Sequence, residues 1–332
     1  MTAPGYRNVV LVGDAITRLR ELPDGAVDCI VTSPPYYALR NYGVDGQLGD
    51  EPHIRDWVAA IVDVCEELYR VLAPHGTLWL NLGDSYSRHE RYGAPAKSLL
   101  LGPERVAQAL VGDGWVLRNK VIWAKPNPLP SPIGDRLTPS HEYVYVLAKQ
   151  PRYFFDLDAI RQPVMTKAKP SAARQPSLDA VLGNLAGGRR HGLTAMARAG
   201  RSGHPLGKNP GDVWQVPTGS YRGAHFATFP PDLLTRPILA TCPQHVCVRC
   251  GEPWKRSSRP VQFVDGQPQP RLLVPCGCGA PTLPGIVLDP FFGTGTVAAV
   301  ACEHGRDWLG VELNPDYLPL AEQRLGRSIR RA

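Results

Sequence analysis

The stretch Ile286-Val287-Leu288-Asp289-Pro290-Phe291-Phe292-Gly293-Thr294-Gly295-Thr296 decides the fold. Ile286 to Asp289 reads as a short buried strand. A glycine turn follows, and Thr296 to His304 continues as an apolar helix. Gly293 and Gly295 let the backbone turn tightly and approach a ligand at the helix N-terminus. The next strand, Trp308 to Glu312, ends in an acid placed to suit a ribose hydroxyl pair. Gly293 to Ala298 also satisfies the dinucleotide pattern G-x-G-x-x-A, although a purely structural glycine turn gives the same letters. Position argues against a dinucleotide enzyme, whose sheet normally opens with this unit. Here most of the sheet must come from earlier in the chain, which is a permuted order.

Working outward, Asn8 to Gly13 and Asp28 to Thr32 read as short buried strands, with a helix over Ala15 to Leu22 between them. Asp56 is the expected N-cap of a helix to Leu72 that buries Trp57, Ile61, Val64, Cys65, Leu68 and Leu72. Pro74 and Gly76 are expected to end it. Strands are expected over Thr77 to Leu82, Trp115 to Trp123 and Glu142 to Leu147, and helices over Glu104 to Val111 and Pro315 to Leu325. Strands alternating with helices predict an α/β fold with a largely parallel sheet covered on both faces.

A second turn, Thr32-Ser33-Pro34-Pro35-Tyr36-Tyr37, leaves the carboxyl end of an apolar strand. Open α/β sheets bind their ligands at that edge. The prolines fix the backbone and leave carbonyls free to accept. Ser33 Oγ and the Pro34 carbonyl can accept both hydrogens of an amino group on a planar ring, and Tyr36 can stack on that ring. A rigid turn beside a core tyrosine is the bland alternative. Asp14 after the first strand is either a ligand contact or the cap of the following helix, and Asn81 and Asp84 at a strand end line either the site or a turn.

The chain has 332 residues, 20 % charged and 43 % hydrophobic. That composition is globular rather than disordered. No apolar run approaches bilayer length, and the first residues lack the pattern of a secretory signal, so a cytoplasmic protein is expected. Of 37 basic residues, nine fall between Arg161 and Gly211, with a single acid, Asp179, and no aromatic residue among them. The net charge of +7 therefore belongs to that segment. It reads as a basic arm tracking phosphates or as a solvated linker. One credible helix starts there at Ser177. The eight cysteines are too few for an extracellular disulfide scaffold. Cys247-Val-Arg-Cys250 and Cys276-Gly-Cys278 form two close pairs that suit a tetrahedral zinc ion, with Cys242 and His245 as substitute ligands. Cys29, Cys65, Cys242 and Cys302 fit the core.

Together, Thr32-Ser33-Pro34-Pro35-Tyr36 and Asp289-Pro290-Phe291-Phe292-Gly293-Thr294-Gly295-Thr296 resemble the amino-methylating DNA methyltransferases, which modify cytosine N4 or adenine N6. The catalytic motif precedes the cofactor motif, as in their β-type arrangement. Gly13-Asp14, Leu137 to Tyr143, His225 to Pro231 and Gly310 to Pro315 resemble further motifs of the family. The resemblance spans roughly residues 8–155 and 213–326.

It implies a Rossmann-like S-adenosylmethionine-dependent methyltransferase fold with circularly permuted motifs. It implies a catalytic half over 1–155, a basic target-recognition segment over 156–212, a cofactor-binding half over 213–244 and 285–332, and a zinc-ribbon-like insert over 245–284. Ser33, Pro34, Pro35 and Tyr36 become catalytic candidates. Asp14, Thr32, Phe229, Pro230, Asp289, Phe291, Gly293, Thr294, Gly295, Thr296, Glu312, Leu313 and Asn314 become cofactor candidates. Cys247, Cys250, Cys276 and Cys278 are the candidate metal ligands, for a structural zinc.

The expected reaction is methyl transfer from S-adenosylmethionine to cytosine N4 in duplex DNA by base flipping and direct in-line transfer, since serine in the first motif leans that way in the family. N6-adenine methylation is the alternative, followed by methylation of RNA or of a protein amide, and by a non-catalytic zinc-ribbon DNA-binding protein. Double-stranded DNA is the expected partner. The resemblance also admits a cognate restriction endonuclease, a homodimer and a nucleoid-associated location.

Overall fold

The computed structural model describes residues 4–39, 43, 46–163, 204–219 and 229–332. They form two compact units. The larger comprises Met1–Asp156, Gly211–Arg256 and Leu273–Ala332, and the smaller Leu157–Pro210 and Ser257–Leu272. The helix expected from Ser177, most of the basic segment, and His225 to Thr228 lie outside the described residues.

The larger unit is built on a nine-stranded sheet. Its strands are β1 (Val9–Val12), β2 (Val27–Thr32), β3 (Leu72–Leu82), β4 (Val116–Ala124), β5 (His141–Ala148), β6 (Val213–Gln215), β13 (Ile286–Asp289), β14 (Asp307–Glu312) and β15 (Arg330–Arg331). The order across the sheet is β15-β1-β14-β13-β2-β3-β5-β4-β6. Only β5 runs against its neighbours; the other pairings are parallel. The helices are α1 (Ala15–Leu19), α2 (Ile54–Val71), α3 (Gly102–Gly112), α4 (Pro231–Thr241), α5 (Thr296–Glu303) and α6 (Leu318–Leu325). None among the described residues is long and apolar enough to cross a membrane.

Successive side chains of a strand face opposite ways, so each central strand feeds two cores. Leu11, Ile30, Leu78 and Leu288 pack with Trp57, Ile61 and Leu68 of α2. Their neighbours Val10, Cys29, Trp79 and Val287 pack with Ile238 of α4 and Val297 of α5. Near-continuous apolar runs such as Val27–Thr32, buried throughout, follow from covering on both faces.

Local structure departs from the expected pattern in three places. Helix α2 begins at Ile54, where His53 is the cap and its Nδ1 accepts from Arg55 N at 3.0 Å. Asp56 therefore lies in the first turn, where its charge suits the helix dipole. α2 passes directly into β3 at Leu72, so Pro74 and Gly76 belong to the strand. α1 ends at Leu19, short of Leu22.

Around the four clustered cysteines, β7 (Val246–Cys247) pairs with β12 (Thr282–Leu283), and β8 (Lys255–Arg256) pairs with β11 (Leu273–Val274). Arg256 Nε donates to Asp156 Oδ2 at 2.9 Å. In the smaller unit a hairpin joins β9 (Gln262–Val264) to β10 (Gln267–Gln269). There Asp158 lies between Arg161 Nε at 2.9 Å and Arg271 Nε at 2.7 Å. Burial opposes ionisation of Asp158, and the two guanidinium groups outweigh it, holding the carboxyl at about 2.

Candidate active site

Parallel pairing brings the two motif turns to one edge. Val287 and Leu288 of β13 lie in register with Cys29 and Ile30 of β2. Both strands run the same way, so Thr32 and Asp289 emerge side by side. Thr32 Oγ1 donates to Asp289 Oδ1 at 2.8 Å, joining residues far apart in sequence. β14 and β1 add Glu312 and Val12 at the same edge, in register with each other. Ser33 and Pro35 from the first turn, and Gly293, Thr294 and Glu312 from the second region, line one cleft.

The floor of the cleft is set by side chains pinned to backbone. Glu312 Oε2 accepts from Gly293 N at 2.6 Å and Oε1 from Asn314 N at 2.8 Å. Burial nevertheless raises its carboxyl above the usual range. Asp289 is 3 % exposed, and burial pushes it up to about 7 against the hydrogen bonds from Thr32 and Phe291 N. Phe292 stacks on Trp308 with ring centroids 5.4 Å apart. Its ring occupies the space over Gly310, where a Cβ would come within 2.2 Å of it. Gly310 is thus required for this end of β14 to pass beneath the loop. Gly295 caps α5 in the left-handed region at φ 71°.

Of the cofactor candidates, Asp14, Phe229, Asp289, Phe291, Gly293, Thr294, Thr296, Glu312, Leu313 and Asn314 line the cleft. Thr32, Pro230 and Gly295 do not: Thr32 latches Asp289, Pro230 is the buried cap position of α4, and Gly295 shapes the loop. Asp14 lines the cleft and also caps α1, its Oδ1 accepting from Thr17 N at 2.9 Å. Phe229 likewise lines the cleft and packs on the core. Ile16, Leu48, Asp63 and Tyr317 also line it, and nothing in local sequence singled them out; Val64, expected only as core of α2, lines it too.

The catalytic candidates divide. Ser33 and Pro35 face the cleft, with the Pro35 carbonyl held by Trp57 Nε1 at 3.0 Å. Pro34 is buried, and its carbonyl accepts no hydrogen bond among the described residues. Tyr36 turns along the sheet edge, its ring against Gly83, where a Cβ would lie 2.6 Å from Cε2. Its Oη donates to Glu142 Oε2 at 2.6 Å and lies 3.1 Å from Ser33 Oγ. Asn81 Nδ2 reaches Tyr36 Oη at 2.5 Å, Glu142 Oε2 at 2.8 Å and Ser33 Oγ at 3.3 Å. Lys125 Nζ pairs with Glu142 Oε1. Tyr36 is thus hydrogen-bonded into a polar network, beyond the plain stacking ring expected from the motif.

The sulfur atoms of Cys247, Cys250, Cys276 and Cys278 lie within 4.8 Å of one another, with no disulfide among them. A tetrahedral zinc with Zn–S of about 2.3 Å places its sulfurs about 3.8 Å apart, and Cys250 Sγ to Cys276 Sγ is 3.6 Å. The donor set fits the ion. Backbone N–H groups of Cys250 and Arg249 pull the Cys247 thiol down to about 6. The His245 ring lies tilted against Trp254, with centroids 4.6 Å apart. Cys29 and Cys65 are buried, and desolvation pushes both thiols up to about 12. Cys242 is buried as expected, but Cys302 is exposed, because the end of α5 turns it outward.

With this geometry in place, comparison with known proteins is direct. The DNA methylase family model N6_N4_Mtase matches residues 27–323. The type II methyltransferase M.Cfr9I of Citrobacter freundii is 35% identical over 94% of this chain and 86% of its own length. M.SmaI of Serratia marcescens is 33% identical over 96% of this chain and 90% of its own. Two solved structures share the fold: the PvuII DNA methyltransferase described as cytosine-N4-specific (TM-score 0.57, 18% identity, 95% of this chain and 85% of that one), and a DNA modification methylase of Thermus thermophilus complexed with S-adenosyl-L-methionine (TM-score 0.53, 22% identity, 96% and 93%). The chain belongs to the DNA methylase family of β-type, amino-methylating N6/N4 DNA methyltransferases.

Proposed function

We propose that the chain methylates cytosine N4 in duplex DNA, with S-adenosylmethionine as donor. The observation that carries this reading is the shared cleft: Ser33 of the Ser-Pro-Pro-Tyr turn lines the same space as Gly293 and Glu312. Serine at the head of the turn leans toward cytosine in the family, and the PvuII enzyme is described as cytosine-N4-specific.

The cleft suits the donor. Thr294 is buried and its Oγ1 has no partner among the described residues, so a polar ligand group is needed there. Each Glu312 oxygen takes one backbone N–H and keeps a lone pair for a ribose hydroxyl. Phe229 and Phe291 give apolar walls for an adenine ring. When bound, S-adenosylmethionine supplies an electrophilic methyl group on sulfonium.

The chain's own part is to hold the amine. An exocyclic amino nitrogen is a weak nucleophile because its lone pair is delocalised into the ring. With its hydrogens accepted by Ser33 Oγ and the Pro34 carbonyl, the nitrogen moves toward a tetrahedral form and its lone pair turns out of the ring plane. A base in a duplex must leave the stack to reach this edge. The four cysteines would hold a structural zinc, and the type II names of the relatives point to a partner restriction endonuclease. Nucleoside analysis of DNA methylated in vitro tests the reading. N4-methylcytosine is expected; N6-methyladenine as sole product overturns it.

A further inference from the structure

We propose that Glu142 gives Ser33 its hydrogen-bond direction and takes up the proton that methylation releases. The inference rests on the reading above, in which Ser33 meets the amine of the base. To accept from that amine, Ser33 Oγ needs its own proton committed elsewhere and a lone pair open. Ser33 Oγ and Tyr36 Oη are 3.1 Å apart, and by that distance alone either could donate. Glu142 decides between them. Its Oε2 lies 2.6 Å from Tyr36 Oη, and a carboxylate only accepts, so the phenolic proton points to Glu142. Tyr36 is then the acceptor of the Ser33 proton.

Asn81 reinforces this polarity. Its Nδ2 is a donor only, and its two hydrogens go first to Tyr36 Oη and Glu142 Oε2, with Ser33 Oγ farther away. Lys125 Nζ occupies Glu142 Oε1, which leaves Oε2 facing the tyrosine and the asparagine. The order of donation is therefore Ser33 to Tyr36 to Glu142, and a lone pair of Ser33 stays turned to the substrate. A neutral amide at 142 reverses this. Beside the Lys125 ammonium the amide oxygen would turn to lysine and its N–H₂ to Tyr36, so Tyr36 would donate to Ser33 and fill the needed lone pair.

The same chain carries the proton away. Methylation exchanges one N–H of the amino group for N–CH₃, so one proton leaves the nitrogen. That N–H bond breaks as its proton passes to Ser33 Oγ. The Ser33 proton passes to Tyr36 Oη, and the Tyr36 proton to Glu142 Oε2. Serine and tyrosine end as hydroxyls, the carboxylate ends as a carboxylic acid, and no charge is left on Ser33 or Tyr36. Glu142 acts through the other two and is a positioning residue.

The test uses full-length protein, unmodified genomic DNA and S-adenosylmethionine labelled in its methyl group, read under single-turnover conditions. Tyr36→Phe keeps the ring and removes the hydroxyl that links Ser33 to Glu142 and accepts from Asn81. Tyr36→Phe and Glu142→Gln are each expected to slow methyl transfer about 100-fold, with cofactor affinity by calorimetry unchanged. The double variant is expected to be no slower than the slower single one. A curved proton inventory in mixed H₂O and D₂O is expected for the native protein, becoming linear in Tyr36→Phe. Native rate in Glu142→Gln, losses that multiply, or a linear native inventory overturns the proposal. Ser33→Ala separates the two readings: if it methylates at the native rate, the assignment of Ser33 falls; if only Ser33→Ala is slow, the relay through Tyr36 and Glu142 falls while the role of Ser33 stands.

Discussion

Asp289 shows how a single residue serves the fold and the cleft at once. Its carboxyl accepts from Thr32 and from Phe291 N, yet burial dominates and holds it at about 7. An unfolded aspartate titrates at about 3.9. The fold therefore favours the protonated form, and the stability this contributes is greatest below pH 4 and is lost as pH rises toward 7. Asp289→Asn removes the titration and keeps an oxygen for Thr32. In cofactor-free protein its melting temperature relative to native is expected to rise between pH 5 and pH 8; a difference that is flat with pH would refute the argument. At this scale the sequence was partly legible. Ser33, Glu312 and Gly293 stood out because their motifs are local. The latch role of Thr32 and the contacts of Glu142 and Lys125 did not, because they join strands through pairing that no local spacing encodes.

Among the elements, strands and helices followed from apolar runs and their periods, and the departures came at ends. Helix α2 starts two residues before Asp56 because His53 Nδ1 supplies an acceptor of the kind that cap rules look for in aspartate. The cysteine pairs were legible because a knuckle able to hold a metal keeps fixed local spacing. Strands β7, β8, β11 and β12 around them are only two residues long, so metal ligation by the four thiolates would supply much of their order. One zinc per chain is expected by metal analysis of the purified protein. The paired change Cys276→Ser and Cys278→Ser should abolish it and lower the melting temperature. A metal-free native protein with four free thiols would refute the assignment.

Over the whole molecule, the permuted order becomes simple once parallel pairing is drawn. β2 and β13 are neighbours in space, so the Ser-Pro-Pro-Tyr turn near residue 33 and a glycine loop near residue 293 leave one edge together. Periodicity made the sheet legible; the pairing of its two distant halves came only with the family resemblance. The basic segment was legible through its charge. Replacing Arg189, Arg190, Arg198 and Arg201 by alanine should weaken DNA binding and reduce the slope of log K against log salt by about 3 to 4, if each meets a phosphate. An unchanged slope in a salt titration would remove the segment from the DNA interface.

The cysteine knuckle joins the sheet at the amino end of β13, four residues from the edge where the cleft opens. The insertion is thus spliced at the opposite end of β13 from the glycine loop, a margin of the strand where added chain interrupts neither motif.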